Sequence, residues 1–390
     1  MGQGLSARAT VWTGLDVLAA EGNPALVGAR VGLVTNHTGV DRRLRAGIDL
    51  LRGHLHLVAL FAPEHGIRGE AQAGAPIGAS VDPRTGLPVH SLYGESRRPP
   101  TECLRGLDAL LFDVQDVGVR YATYASTCLL CLEGAAEASI PFVILDRPNP
   151  LAGGVEGGIL DPAFASFVGA HPVPIRHGLT IGELARLAAA ERGLPDPVVV
   201  PIRDWRREEW QDETGLPWVQ PSPNLPTLDS LTVYPGTCLV EGTSVSEGRG
   251  TTRPFELIGA PWLDGRCLAN TLNRLDLDGV RFRPAEFVPS ASKHADQPCG
   301  GVQVHVTDRD ALKPVAMGLH LLAACRAVAS EQFGFLPSSW EGRPPHLDLL
   351  LGNTHVREGL AAGVPVDELT ADWGAIAAAW IEKRRPYLLY

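Results

Sequence analysis

Leu57-Val58-Ala59-Leu60-Phe61-Ala62-Pro63-Glu64-His65-Gly66-Ile67-Arg68-Gly69 is the stretch on which the fold turns. Five apolar residues in a row, Leu57 to Phe61, read as a strand covered on both faces, as in parallel sheets packed between helices. The run stops at Pro63, and a glutamate, a histidine, two glycines and an arginine follow at once. Ligands of open α/β sheets settle beyond the carboxyl ends of the strands. An acid beside a histidine at such a place is poorly explained by packing. The plainer alternative is a surface pair between Glu64 and Arg68. Glu64 is the first candidate for a working carboxylate, with His65 beside it.

Outward from this stretch the pattern recurs. Arg30 to Thr35 reads as a first buried strand that runs into Asn36-His37-Thr38-Gly39. A dinucleotide fold would show Gly-x-Gly-x-x-Gly there; Asn36 and His37 offer polar side chains instead. Leu107 to Phe112 runs into Asp113-Val114-Gln115-Asp116-Val117-Gly118-Val119-Arg120, with Thr123 and Tyr124 just beyond. A helix cap would account for Asp113 or Asp116 singly. It does not account for Asp113, Gln115, Asp116, Arg120 and Tyr124 together. Phe142 to Leu145 ends in Asp146-Arg147-Pro148-Asn149-Pro150, a third strand tip with an acid beside a cation. A helix is expected from about Tyr124 to Ser139. Another starts at the capping box Thr180-Ile181-Gly182-Glu183 and runs to about Arg192. His177 lies in the polar break before it. Strands alternating with helices give an α/β fold with a mostly parallel sheet.

Between Trp205 and Trp218 the chain turns polar and aromatic. Pro221-Ser222-Pro223-Asn224-Leu225-Pro226-Thr227 can be neither helix nor central strand. A change of subdomain is placed here: residues 1–220, then a smaller mixed α/β part over residues 221–390. Aromatic side chains beside so rigid a loop suit a sugar platform or an interface. Val240 to Thr252 holds Glu241, Ser246, Glu247, Arg249 and four further hydroxyls among its glycines, the composition of a functional surface loop.

The 390 residues, 45% apolar and 20% charged, describe an ordinary globular chain of two or three domains. A net charge of −10 without a basic run leaves no phosphate footprint, so no nucleic-acid partner is expected. No window is long and apolar enough for a membrane span. Cys128 and Cys131 stand two residues apart inside an apolar helical run and read as core. Free thiols, and no apolar segment at the start of the sequence, predict a cytoplasmic protein.

Glycoside hydrolysis needs an acid and a carboxylate base or nucleophile flanking one bond. Glu64, beside apolar Phe61 and Ala62, suits the acid, and Glu247 or Glu241 the partner across an interdomain cleft. Two other classes stay open. A metal-dependent hydrolase could draw ligands from His37, His65, Asp113, Asp116 and His177, although no spacing ties them together. A non-catalytic carbohydrate-binding protein could use the same cleft.

Pro63-Glu64-His65-Gly66, Ser91-Leu92-Tyr93-Gly94, Phe112 to Gly118, Asp146 to Pro150, Pro221-Ser222-Pro223-Asn224, Ser246 to Thr252, Gly259-Ala260-Pro261-Trp262 and Tyr387-Leu388-Leu389-Tyr390 occur in this order. Together they resemble the exo-β-N-acetylmuramidase (NamZ-like) family over nearly the whole chain. The resemblance implies release of N-acetylmuramic acid from the non-reducing end of small muropeptide or disaccharide substrates. It implies a Rossmann-like subdomain joined to a smaller α/β one, with the site in the cleft between them. No cofactor is expected. Glu64 matches the family's leading catalytic candidate, and Glu247 and Glu241 are carried as the second group. For the lactyl carboxylate of the substrate, Arg120, Arg147 and Arg249 are the expected partners. Two departures stand out: Ala122 replaces a tyrosine usual in the family, and the export signal of many relatives is missing.

Overall fold

The structure, a computed structural model, describes residues 10–69, 80–94, 97–338 and 340–390. Nine strands come first: β1 (Arg30–Thr35), β2 (His56–Ala62), β3 (Ser80–Val81), β4 (Pro88–Ser91), β5 (Ala109–Asp113), β6 (Phe142–Leu145), the hairpin β7 (Glu156–Ile159) and β8 (Pro174–Arg176), and β9 (Val198–Val200). Seven of them form one sheet in the order β3-β4-β2-β1-β5-β6-β9. All its pairings are parallel except that of the two-residue edge strand β3. The chain builds outward from β1 to β4 on one side, then returns to β5 and builds outward on the other. Strand order therefore reverses between β1 and β5, as in doubly wound sheets.

The helices of this part are α1 (Gly14–Glu21), α2 (Gly47–Arg52), α3 (Thr101–Leu104), α4 (Thr123–Glu137) and α5 (Ile181–Arg192). The quoted stretch shows why they lie on both faces. Leu60 and Ala62 join Leu15, Leu18, Ile48 and Leu51 in one core. Ala59 and Phe61 join Cys128, Leu132, Leu184 and Ala188 in the other. A period-2 alternation of apolar side chains on both faces is what a sheet needs between two helical layers. Cys128 and Cys131 are fully buried free thiols in the second core. Helix α1, which the sequence shows only as a short apolar segment, starts from a capping box between Thr13 and Asp16.

The rest of the chain holds α6 (Leu228–Thr237), β10 (Leu257–Ala260), α7 (Gly265–Asn273), β11 (Val280–Phe287), β12 (Cys299–Val306), α8 (Pro314–Val328), α9 (His346–Leu351), α10 (His355–Ala362), α11 (Val366–Leu369) and α12 (Trp373–Arg384). Its sheet is small and antiparallel, in the order β10-β12-β11. A Cβ at Gly236 would run into the backbone of Pro314, so α6 and α8 meet backbone to backbone. The chain end returns to the first sheet. Trp380 and Arg384 donate to the His177 carbonyl at 2.9 Å each, and the Tyr390 hydroxyl donates to Asp146 at 2.9 Å. No helix among the described residues is long and apolar enough to cross a membrane.

Candidate active site

Beyond Ala62 the chain makes a tight turn with His65 at φ +73° and Gly66 at φ +77°. A histidine in the left-handed region costs backbone energy, and such residues gather at functional sites. The turn buries His65 and leaves Glu64 half-buried at the tip of β2. Arg68 does not pair with Glu64: it donates to Asp82 at 2.9 and 3.1 Å. Glu64 accepts from the Thr123 hydroxyl at 2.6 Å, and Tyr93 lies beside it in the cleft. Burial, and then the charge of Glu64, push Tyr93 up to about 12. The Thr123 hydroxyl, at the start of α4, fixes the orientation of the carboxylate.

Glu64 lies in a cleft of about 1220 Å³. One wall comes from the tips of β2, β4 and β5. The other comes from Pro221–Leu225, the segment around Glu241–Thr251, and Lys293, Trp340 and His346. In that second wall Arg249 Nε lies 3.1 Å from Glu241 and 3.2 Å from Glu247. Lys293 Nζ is 2.9 Å from Glu247 and also donates to the carbonyls of Val240 and Thr243. His346 approaches Glu241 at 3.8 Å. Burial alone would raise Glu241; Arg249 and His346 outweigh it and hold the carboxyl below the usual carboxylate range. The polar Val240–Thr252 segment is therefore folded inward rather than displayed on the surface. Its charges tolerate burial because each has an opposite charge from the same wall.

Of the residues singled out from sequence, Glu64, His65, Tyr124, Asn224, Glu241, Glu247 and Arg249 line this cleft. The others do not, and their hydrogen bonds say what they do. Asn36 accepts from Thr38, whose hydroxyl accepts from the Gln115 amide at 2.9 Å. Gln115 donates to the carbonyls of Asp116 and Pro148, and His37 bonds the Gln220 carbonyl at 2.7 Å. Arg147 is paired with Asp113, the two being 4% and 0% exposed. Asp116, pushed up to about 6 by burial, accepts from Gly118 N. Arg120 donates to the carbonyls of Gly158, Val173 and Leu350. Asp146 accepts from Thr180, Gly182 N and Tyr390. Asn149 bridges Leu151 N and the Leu179 carbonyl. His177, driven down to about 3 by burial, accepts from Leu179 N, and Ser246 pairs backbone to backbone with Gly259.

These groups brace the sheet tips. At the point where strand order reverses, Thr38, Gln115 and Arg147 leave a void of only about 20 Å³, room for one water. Among the described residues no three His, Cys, Asp or Glu side chains are grouped as a metal site. The cleft also holds Arg97, Phe167, Lys293, Trp340 and His346, which the sequence reading did not single out. They come from four distant segments, and nothing in the local pattern marks any of them.

Two family models, for the N-terminal and C-terminal parts of the exo-β-N-acetylmuramidase NamZ, match residues 31–229 and 232–390. The chain belongs to this family. As a NamZ-family member it is a glycosidase. It is 45% identical over 384 residues to the peptidoglycan β-N-acetylmuramidase NamZ of Bacillus subtilis, a match covering 97% of this chain and 91% of that protein. Two crystal structures of DUF1343 family proteins from Bacteroides fragilis share the fold. One superposes with a TM-score of 0.89 at 35% identity, covering 98% of this chain and 100% of the other. The second gives 0.77 at 31% identity, covering 98% and 99%.

Proposed function

We propose that this NamZ-family glycosidase releases N-acetylmuramic acid from the non-reducing end of peptidoglycan-derived fragments, with Glu64 as its catalytic carboxylate. The observation that carries the assignment is the seat of Glu64. It is half-buried on a strained turn at a strand tip, held by the Thr123 hydroxyl, and opens into a cleft large enough for a disaccharide. The rings of Tyr93 and Trp340 supply apolar surface for the sugar faces. Glu241 and Glu247 are the candidates for the second acidic group. Solvent reaches 22% of the Glu241 side chain and 2% of that of Glu247, which makes Glu241 the one that water or sugar can touch. In this reading the chain divides near residue 220 and the cleft lies between the two parts. Seven free cysteines fit a reducing compartment, and the enzyme acts there on small recycled fragments, with neither nucleic acid nor membrane as partner.

The test is hydrolysis of a chromogenic β-N-acetylmuramide by wild type and Glu64→Gln, with the glucosamine analogue as control. Release from the muramide, lost by roughly three orders of magnitude or more in the variant, is the expected result. Undiminished release by Glu64→Gln would move the chemistry to another carboxylate. Saturable binding without turnover by wild type would leave a carbohydrate-binding protein.

A further inference from the structure

The cleft holds three acids, Glu64, Glu241 and Glu247, and three permanent cations, Arg97, Arg249 and Lys293. Arg249 is bound between Glu241 and Glu247, and Lys293 is bound to Glu247 and two carbonyls. Arg120 and Arg147, the other arginines the sequence offers for a substrate carboxylate, are buried on carbonyls and on Asp113. Arg97 differs from all of them. Among the described residues it makes no ion pair, whereas its chain neighbour Arg98 pairs with Glu137. Its guanidinium instead lies 4.4 Å from the ring centre of Phe167 and 5.6 Å from that of Trp340.

Stacking engages the faces of a guanidinium and leaves its in-plane N–H donors unused. A planar fork held at its faces is shaped to take a carboxylate edge-on through two parallel hydrogen bonds. Its position relative to Glu64 follows from a short chain of neighbours. Glu64 and Tyr93 line the same wall of the cleft, the Tyr93 ring lies 6.1 Å from Phe167, and Phe167 carries Arg97. In a muramic acid unit the lactyl carboxylate hangs from C3, two carbons round the sugar ring from the glycosidic carbon. A cation that lines the same cleft as the carboxylate acting at C1 suits that arrangement.

Resting on the proposed muramidase activity, we infer that Arg97, stacked on Phe167 and Trp340, binds the free lactyl carboxylate and makes the enzyme select muramic acid over glucosamine at the non-reducing end. Arg97 is a specificity residue. It takes no part in bond cleavage.

The experiment compares three chromogenic β-glycosides: N-acetylmuramide with a free lactyl acid, the same compound as its lactyl methylamide, and N-acetylglucosaminide. Wild type should prefer the acid. Arg97→Ala should lose roughly 10- to 100-fold in kcat/KM on the acid, mostly through KM, with little change on the amide. Arg97→Lys, which keeps the charge and loses the fork, should fall between them. Equal loss on acid and amide would show a merely structural role and overturn the inference. So would a wild type that cleaves acid and amide alike, while leaving the muramidase reading intact. A wild type that cleaves neither muramide would overturn the activity itself, and the inference with it.

Discussion

Asp113 sits at the tip of β5 with no exposed surface, and Arg147 closes on it with Nε at 2.7 Å and a terminal nitrogen at 2.6 Å. Burial pushes the Asp113 carboxyl up, and Arg147 pulls it back down. A pair this deep adds little net stability compared with well-packed apolar residues, because desolvation consumes most of the attraction. Removing one partner is different, since it strands the other charge. Asp113→Asn keeps the shape and an acceptor oxygen but leaves Arg147, 4% exposed, charged without a counter-charge, with neutral oxygens such as the Val40 carbonyl at 3.0 Å as its partners. The expected loss is about 3 to 5 kcal/mol. That is a large part of the roughly 5 to 15 kcal/mol that holds most proteins together. Equilibrium urea unfolding followed by tryptophan fluorescence should show a clearly lowered midpoint. The double variant Asp113→Leu, Arg147→Met should recover most of it, as a double-mutant cycle would register. Neither residue lines the cleft, so KM on the muramide should match wild type for the folded fraction. An unchanged midpoint together with a KM raised tenfold or more would refute this account and return Asp113 to the substrate.

Thr123→Val removes the 2.6 Å hydroxyl that orients Glu64; a hydrogen bond to a charged group is worth about 1.5 to 3 kcal/mol, so kcat/KM should fall roughly 10- to 100-fold with the melting temperature nearly unchanged. Burial, and then the charge of Glu183, raise Asp146 to about 7, against the opposing bonds from Thr180, Gly182 and Tyr390. The folded state therefore holds a proton that the unfolded chain, with a carboxyl near 3.9, releases. This contribution to stability is full below about pH 4 and is lost as pH rises through about 7. Melting temperatures of Asp146→Asn and wild type measured from pH 5 to 8 should separate in favour of the variant as pH rises, and parallel curves would reject the buried-carboxyl account.

The sequence alone determined the strands and the places where chemistry could sit. Runs such as Leu57–Phe61 and Ala109–Phe112 are legible because a strand buried on both faces must be apolar at every position, a strictly local condition. Their polar tips are legible too, because a loop at a strand end is free to carry groups that a core would reject. On that ground Glu64 stands out as a candidate, and the ordered motifs point to the family that the comparison with known proteins shows. Tertiary structure alone decided which tips face the cleft. Most polar groups after β1, β5 and β6 turn toward one another and brace the sheet, while Glu64 after β2 and Tyr124 after β5 face the cleft. A buried frame and a binding site call for the same residue types, and the direction of a side chain depends on partners far away in the chain. Val240–Thr252 shows this most clearly. It is too polar to be buried by composition, yet it is buried because Arg249, Lys293 and His346 meet its glutamates across the same wall. Arg97, Phe167 and Trp340 meet only in the folded chain, since charge pairing and ring stacking are decided by distance in space, which sequence spacing does not encode.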